Sequence, residues 1–232
     1  MEQRASRSRN ANSSTECRRG EPSRVALASD PSRHAIPARV HRVEQTIQRS
    51  RFITSGAHAP DADAAHSFIQ IVRDEFPDAT HNCWAFVAGL PGSTAHIGMS
   101  DDGEPHGTAG RPMLTALLHG DVGEIVAVST RYYGGIKLGT GGLSRAYSGG
   151  VKLLLESLPL EEKVERVLVE ITVTYTDVDA LQRLMEESDI TVEAEDYGAD
   201  VRYTCGVPAS ALDTFRRTVA DVSRGAGVLR EL

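Results

Sequence analysis

Residues 124–158, EIVAVSTRYYGGIKLGTGGLSRAYSGGVKLLLESL, decide the fold. The unbroken apolar start, EIVAVSTRY, predicts a buried strand. Farther on, Leu143, Tyr147, Val151, Leu154 and Leu158 recur at intervals of three and four residues, which predicts an amphipathic helix over Gly141–Leu158. Its opposite side carries Arg145, Ser148, Lys152 and Glu156. Between strand and helix, residues 129–147 hold five glycines and three cations. Gly134 and Gly139 have the spacing of a phosphate loop, but Thr140 stands where lysine is needed. Gly139-Thr140-Gly141 is followed by Ser144 at the third glycine position, so the dinucleotide fingerprint also fails. Two readings stay open. Gly139, Thr140, Gly141 and Gly142 could present helix N-terminal N–H groups to an anion, with Thr140 as cap and Arg131, Lys137 and Arg145 beside them. Alternatively, the glycines build a tight turn, and Gly149 and Gly150 let the helix pack closely.

A similar entry lies upstream in SDDGEPHGTAGRP, residues 100–112. There Gly107, Thr108, Gly110 and Arg111 lead into a short helix, RPMLTALLHG, opened by Pro112 and closed by Gly120, with Met113, Leu114, Leu117 and Leu118 inward. Two such helix starts, each with an arginine close by, would converge on one anionic surface. Asp101, Asp102 and Glu104 offer oxygen ligands to a Mg²⁺ ion, though one triplet is few for a dedicated cage; the other reading is an acidic turn. His81 and Cys83 share a strand face, either as a Cys/His pair or as a buried thiol beside a structural histidine. His106 beside Glu104 lacks a nucleophile with a third orienting group. No catalytic residue and no cofactor is expected.

Farther toward the N-terminus, RVHRVEQTIQRSRFITSG (39–56) predicts two strands turning at Arg49–Ser50. In DADAAHSFIQIVRDEFPDA (61–79), Ala65, Phe68, Ile69, Val72 and Phe76 fall at helical spacing, with Asp61 as N-cap and Pro77 as stop. HNCWAFVAGL (81–90) reads as a strand ended by Pro91-Gly92. Residues 1–35, rich in Ser, Arg, Asn and Pro, predict a flexible tail. After SLPLEEKVE (157–165), a polar connector with a domain boundary at Pro159, the elements change order. A strand through Val167–Tyr175 precedes a helix capped by Asp177 and carrying Leu181, Leu184 and Met185. Two strands flank Gly198-Ala199, a helix covers 209–223, and GVLREL closes the chain. That succession, β-α-β-β-α-β, is the ferredoxin-like sandwich. The chain therefore reads as α+β: a tail (1–35), a first domain (36–158) and a second (159–232).

Composition narrows the function classes. The net charge of −7 is uneven: 1–35 holds seven arginines against four acids, 36–158 ten cations against twelve acids, and 159–232 eight against sixteen. An acidic C-terminal third is repelled by a phosphate backbone, so any nucleic-acid contact must be a local patch. No apolar run reaches the roughly 20 residues that cross a bilayer, and the start has no apolar h-region, which points to a cytoplasmic address without membrane partners. Cys17, Cys83 and Cys205 have neither disulfide nor zinc spacing and read as reduced thiols.

SRFITSG, FPDATHNCWAF, SDDGEPHGTAGRPML and VSTRYYGGIKLGTGGLSRAYSGGV resemble, in order and spacing, the motifs of the Impact family. The match is close over 45–158, and 166–232 resembles the smaller C-terminal domain of bacterial members. The resemblance implies a first domain like domain 2 of ribosomal protein S5 and a ferredoxin-like second. That pairing is similar to the last two domains of elongation factor G, so the resemblance implies contact with RNA or a ribosome-associated partner and a role in regulating translation. Eukaryotic members act on an amino-acid-sensing kinase through an N-terminal module; this chain has only the tail there, so that pathway is not carried over. The motif positions carried over are Asp101, Asp102, Gly103, Glu104, Gly107, Thr108, Gly110 and Arg111, then Arg131, Tyr132, Gly134, Gly135, Lys137, Gly139, Thr140, Gly141, Gly142 and Arg145. The expectation is a non-enzymatic protein binding RNA or a ribosomal partner through a glycine-rich cationic surface. The rival is a small-anion or nucleotide-phosphate enzyme using Asp101, Asp102, Glu104 and the glycine loops.

Overall fold

A computed structural model describes residues 30–232. Cys17 and all the tail arginines except Arg33 lie outside the described residues. The elements are β1 (Arg33–Pro37), β2 (His41–Ile47), β3 (Ser50–His58), α1 (Ala62–Glu75), β4 (His81–Val87), β5 (Ile97–Ser100), α2 (Gly110–Leu118), β6 (Ile125–Tyr132) and α3 (Gly139–Ser157). They continue with β7 (Leu160–Val164), β8 (Arg166–Val173), α4 (Val178–Glu187), β9 (Thr191–Tyr197), β10 (Val201–Pro208), α5 (Leu212–Val222) and β11 (Val228–Glu231). The architecture is mixed α/β with antiparallel sheets.

The first sheet has the order β2-β3-β6-β4-β5. Helices cover both faces, which explains the unbroken apolar run of β6. Ile125 and Ala127 join Cys83, Ala85 and Val87 of β4 in the core under α2 and α3, whereas Val126 and Val128 join Phe86 in the core under α1. Side chains alternate across a strand, so a sheet covered twice needs apolar groups at successive positions. Leu143, Tyr147, Val151, Leu154 and Leu158 are all buried, as their spacing predicts. Gly150 lets α3 approach β3: a Cβ there would lie 2.5 Å from Thr54 Oγ1. Asp61 caps α1 by accepting from the Ala64 N–H at 2.7 Å.

The β2–β3 turn falls on Gln48-Arg49, one residue earlier than expected, with φ of 45° and 68°. This mirror-image turn matches strand twist but suits glycine better than arginine. Arg49→Gly is expected to stabilise the fold by about 0.5–1 kcal/mol, the relieved strain less glycine's extra unfolded-state entropy. A higher urea midpoint at unchanged m would register it.

The second sheet has the order β11-β8-β10-β9. Val169, Ile171, Tyr203 and Val207 from β8 and β10 pack with Leu181 and Met185 of α4 and with Phe215 and Val219 of α5. The strand expected through Tyr175 stops at Val173, and a single 3₁₀ turn, Tyr175–Asp177, leads into α4. Asp177 stands at the N-cap, but its carboxylate accepts from Thr174 Oγ1 at 2.8 Å instead of capping the helix.

A two-stranded strap, which the sequence concealed, forms a third sheet. β1 pairs antiparallel with β7, Arg33 opposite Val164 and Pro37 opposite Leu160. Residues 33–35 of the expected tail and most of the expected connector are thus strand. Both segments are five residues long and adjoin prolines, and each becomes a strand only through a partner more than a hundred residues away. Among the described residues no helix is long and apolar enough to cross a membrane.

Candidate functional site

Helices α2 and α3 lie side by side and begin at the same end. The Tyr147 hydroxyl in the third turn of α3 donates to Glu104, in the loop before α2, at 2.7 Å. At the other end a Cβ on Gly120, just past α2, would meet Leu155 of α3 at 2.6 Å. Along this pair runs an open groove of about 1930 Å³. Arg111, Thr115 and His119 line it from α2 at four-residue intervals, and Ser144, Arg145, Ser148 and Lys152 line it from α3. Asp121, Glu156, Glu161 and Glu162 line its far end with Arg33, which pairs with Glu162, so that end is acidic on balance. Arg111, Arg145 and Lys152 are exposed, as is Lys137 before α3. None of these four cations forms an ion pair among the described residues.

The two helix starts differ. At α3, Leu138 holds the N-cap position and no side chain caps the helix. Thr140, expected as the cap, lies inside the first turn and is exposed with Gly139 and Gly141; Gly142 is half-buried. The first-turn N–H groups therefore face outward beside Lys137 and Arg145, with no acid in that turn. At α2 the start is filled from within. The Asp101 carboxylate accepts from Gly107 N–H at 2.7 Å, Gly110 N–H at 2.9 Å and Ala109 N–H at 3.0 Å. Thr108 is buried, and its hydroxyl donates to Pro105 O. Gly107, Thr108 and Gly110 are thus not open to an outside anion, which corrects the expected pair of converging seats. An aspartate six to nine residues upstream supplies the negative charge that the helix start attracts.

Burial alone would raise the Asp101 pKa, but the three N–H donors and the nearby His106 outweigh it and hold the carboxyl below its usual range. A depressed folded-state pKa stabilises the fold above the unfolded value of about 4, and that contribution disappears as pH falls through the folded value. Asp101→Ala is expected to cost about 1–3 kcal/mol at neutral pH, because the amides lose their acceptor. The difference from wild type should shrink in urea titrations run below about pH 4.

The other acidic candidates are also engaged. Asp102 accepts from the Asn82 N–H at 2.6 Å and from Arg73 at 2.7 Å. Glu104 is buried and binds Arg131 Nη1 at 2.5 Å. Arg131, expected at the anion surface, is therefore an internal residue, with its guanidinium over the rings of Phe52 and Tyr133. Asp101, Asp102 and Glu104 do not gather around a common ion: among the described residues the one group able to do so is His34, Glu124 and Glu165.

His81 and Cys83 do not form a reactive pair. His81 Nδ1 donates to Asp102 O at 2.7 Å, and the Cys83 thiol donates to Asp101 O at 3.0 Å. Burial pushes the Cys83 thiol up to about 12 and Cys205 up to about 11. Both should resist a disulfide-exchange reagent until the chain unfolds.

Of the expected surface, Arg111, Lys137, Gly139, Thr140, Gly141, Gly142 and Arg145 remain accessible. Sequence reading placed Ser148 and Lys152 on one side of the helix with Arg145 without joining them to that surface, and it missed Thr115, His119 and Ser144. A signal was present: Arg111, Thr115 and His119 recur every four residues, and Lys152 follows Arg145 by two turns.

Comparison with known proteins gives the family. The Impact N-terminal domain model matches residues 48–155, and a domain of unknown function (DUF1949) matches 171–226. The chain is 44% identical to the IMPACT family member YigZ of Escherichia coli K12 over 82% of its own length and 94% of that protein. It is 33% identical to YvyE of Bacillus subtilis over 81% of its length and 86% of that protein. A crystal structure titled only as a hypothetical protein superposes with a TM-score of 0.63 at 42% identity, covering 87% of this chain and 98% of the other. The chain belongs to the Impact family.

Proposed function

We propose that this protein is a non-enzymatic factor in the regulation of translation, and that the α2–α3 groove grips single-stranded RNA. The proposal includes the finer fold reading: an S5 domain 2-like first domain and a ferredoxin-like second. The β-α-β-β-α-β succession of β8 to β11, with α4 and α5 packed on one sheet, supports the second half. The observation that carries the functional reading is the set of unpaired cations, Arg111, Arg145 and Lys152 along the groove and Lys137 just before the uncapped start of α3, in a protein of net charge −7. Local positive charge without internal partners suits a phosphodiester track; the Thr115 and Ser148 hydroxyls, which donate to Arg111 O and Ser144 O, can accept from a ribose hydroxyl. The enzyme reading loses support, because its three carboxylates already serve backbone amides and arginines.

The test is retention of a mixed-sequence single-stranded RNA oligonucleotide by the full chain. Three or four phosphate contacts give a slope of log affinity against log salt of about −2 to −3. Arg145→Glu with Lys152→Glu should weaken binding and flatten that slope. RNA affinity unchanged by the double reversal would exclude the groove.

A further inference from the structure

At the acidic end of the groove, β1, the residue after β7 and the entry to β6 bring together a second polar cluster. Glu124, just before β6, is 5% exposed. Its backbone is tied on both sides, the N–H donating to Gly89 O and the C=O accepting from the Ala59 N–H. Its carboxylate lies 2.6 Å from His58 Nε2 and 2.5 Å from Lys163 Nζ, and Lys163 also reaches Glu165 at 3.4 Å. His34, on β1, is 4% exposed, and both its ring nitrogens are buried without a partner. Its Nε2 is aimed into the cluster, 4.0 Å from Glu124 Oε1. A buried imidazole satisfied at neither nitrogen carries a desolvation cost that a ligand would remove. One donor atom each from His34, Glu124 and Glu165 lie within 4.8 Å of one another.

We propose that His34, Glu124 and Glu165 form a binding site for a divalent transition-metal ion of the zinc class, with the Lys163 ammonium holding the ion's place when it is absent. One imidazole nitrogen and two carboxylates are the donor set of zinc; a thiolate-seeking ion finds no sulfur here, and calcium takes oxygen ligands alone. Donors bound at about 2 Å to one tetrahedral ion lie roughly 3.3 Å apart, so small side-chain rotations close the cluster. Lys163 is 36% exposed, and its long stem lets the ammonium swing into water as the ion enters. His58, on the outer oxygen of Glu124, orients that ligand. The ion would join the two domains. Glu165 follows β7, and its backbone bonds to Ser32 O and to the Ala209 N–H, whereas Glu124 directly precedes β6 of the first sheet.

The experiment is equilibrium dialysis of the chelator-treated full chain against Zn²⁺, with folding checked by circular dichroism. One ion per chain is expected. His34→Ala should weaken binding by at least about 100-fold, above the 10–100-fold typical of groups that only orient a ligand. Lys163→Met should tighten binding by removing the competing cation. Glu165→Gln, at a half-exposed position, carries the test if His34→Ala does not fold. His106→Ala, at a fully exposed histidine, should change nothing. No retained Zn²⁺, or equal retention by wild type, His34→Ala and Glu165→Gln, would overturn the proposal.

Discussion

Arg131→Ala is expected to lower the unfolding free energy by about 3–5 kcal/mol, a large share of the ~5–15 kcal/mol that holds a domain together. Side-chain exposure is 6% for Arg131 and 3% for Glu104. Truncating the arginine leaves the Glu104 carboxylate buried with the Tyr147 hydroxyl as its remaining donor. An uncompensated charge in that position costs more than the pair contributes when intact. Replacing both partners, Glu104→Leu with Arg131→Met, should therefore cost less than Arg131→Ala alone. Urea denaturation of the three variants closes the comparison. A loss under about 1 kcal/mol for Arg131→Ala would mean that water reaches the pair.

Gly134→Ala is expected to cost about 3 kcal/mol or more, the upper end of overpacking effects. A Cβ at Gly134 would stand 2.0 Å from the Arg49 carbonyl oxygen and 2.1 Å from its carbonyl carbon. Both are main-chain atoms of the β2–β3 turn, which no rotamer change can move aside. The Gly134 N–H also donates to Ser50 Oγ at 3.2 Å, and Ser50 lies 3.4 Å from Arg131 Nη2. Displacing the loop would thus disturb the buried pair as well. Thermal unfolding of Gly134→Ala should fall well below that of Gly135→Ala, which has open space and only an unfavourable φ of 85° to overcome.

The elements of both cores were legible because each has a periodic pattern of its own. The four- and three-residue steps of α3 and the unbroken apolar run of β6 state how many faces are covered. The strap was not legible: β1 and β7 have no period, and only their mutual pairing makes them strands. Asp101 could be read as a carboxylate but not as the occupant of the α2 start, since its position within the loop depends on the loop's path. Arg131 carries the same lesson. Its place on β6 fixes which face it joins, yet only the tertiary partner Glu104 turns a candidate surface cation into an internal one. Lys137 and Arg145 stayed outside because the first turn of α3 has no acid to claim them.

The central claim is that the cationic stretch between α2 and α3, not the arginine-rich N-terminus or the acidic second domain, meets RNA. Ultraviolet cross-linking of bound RNA to the full chain, with the attached peptides mapped by mass spectrometry, tests it most directly. Adducts should concentrate within 111–119 and 137–152. Adducts confined to 1–29 or 159–232 would contradict the account.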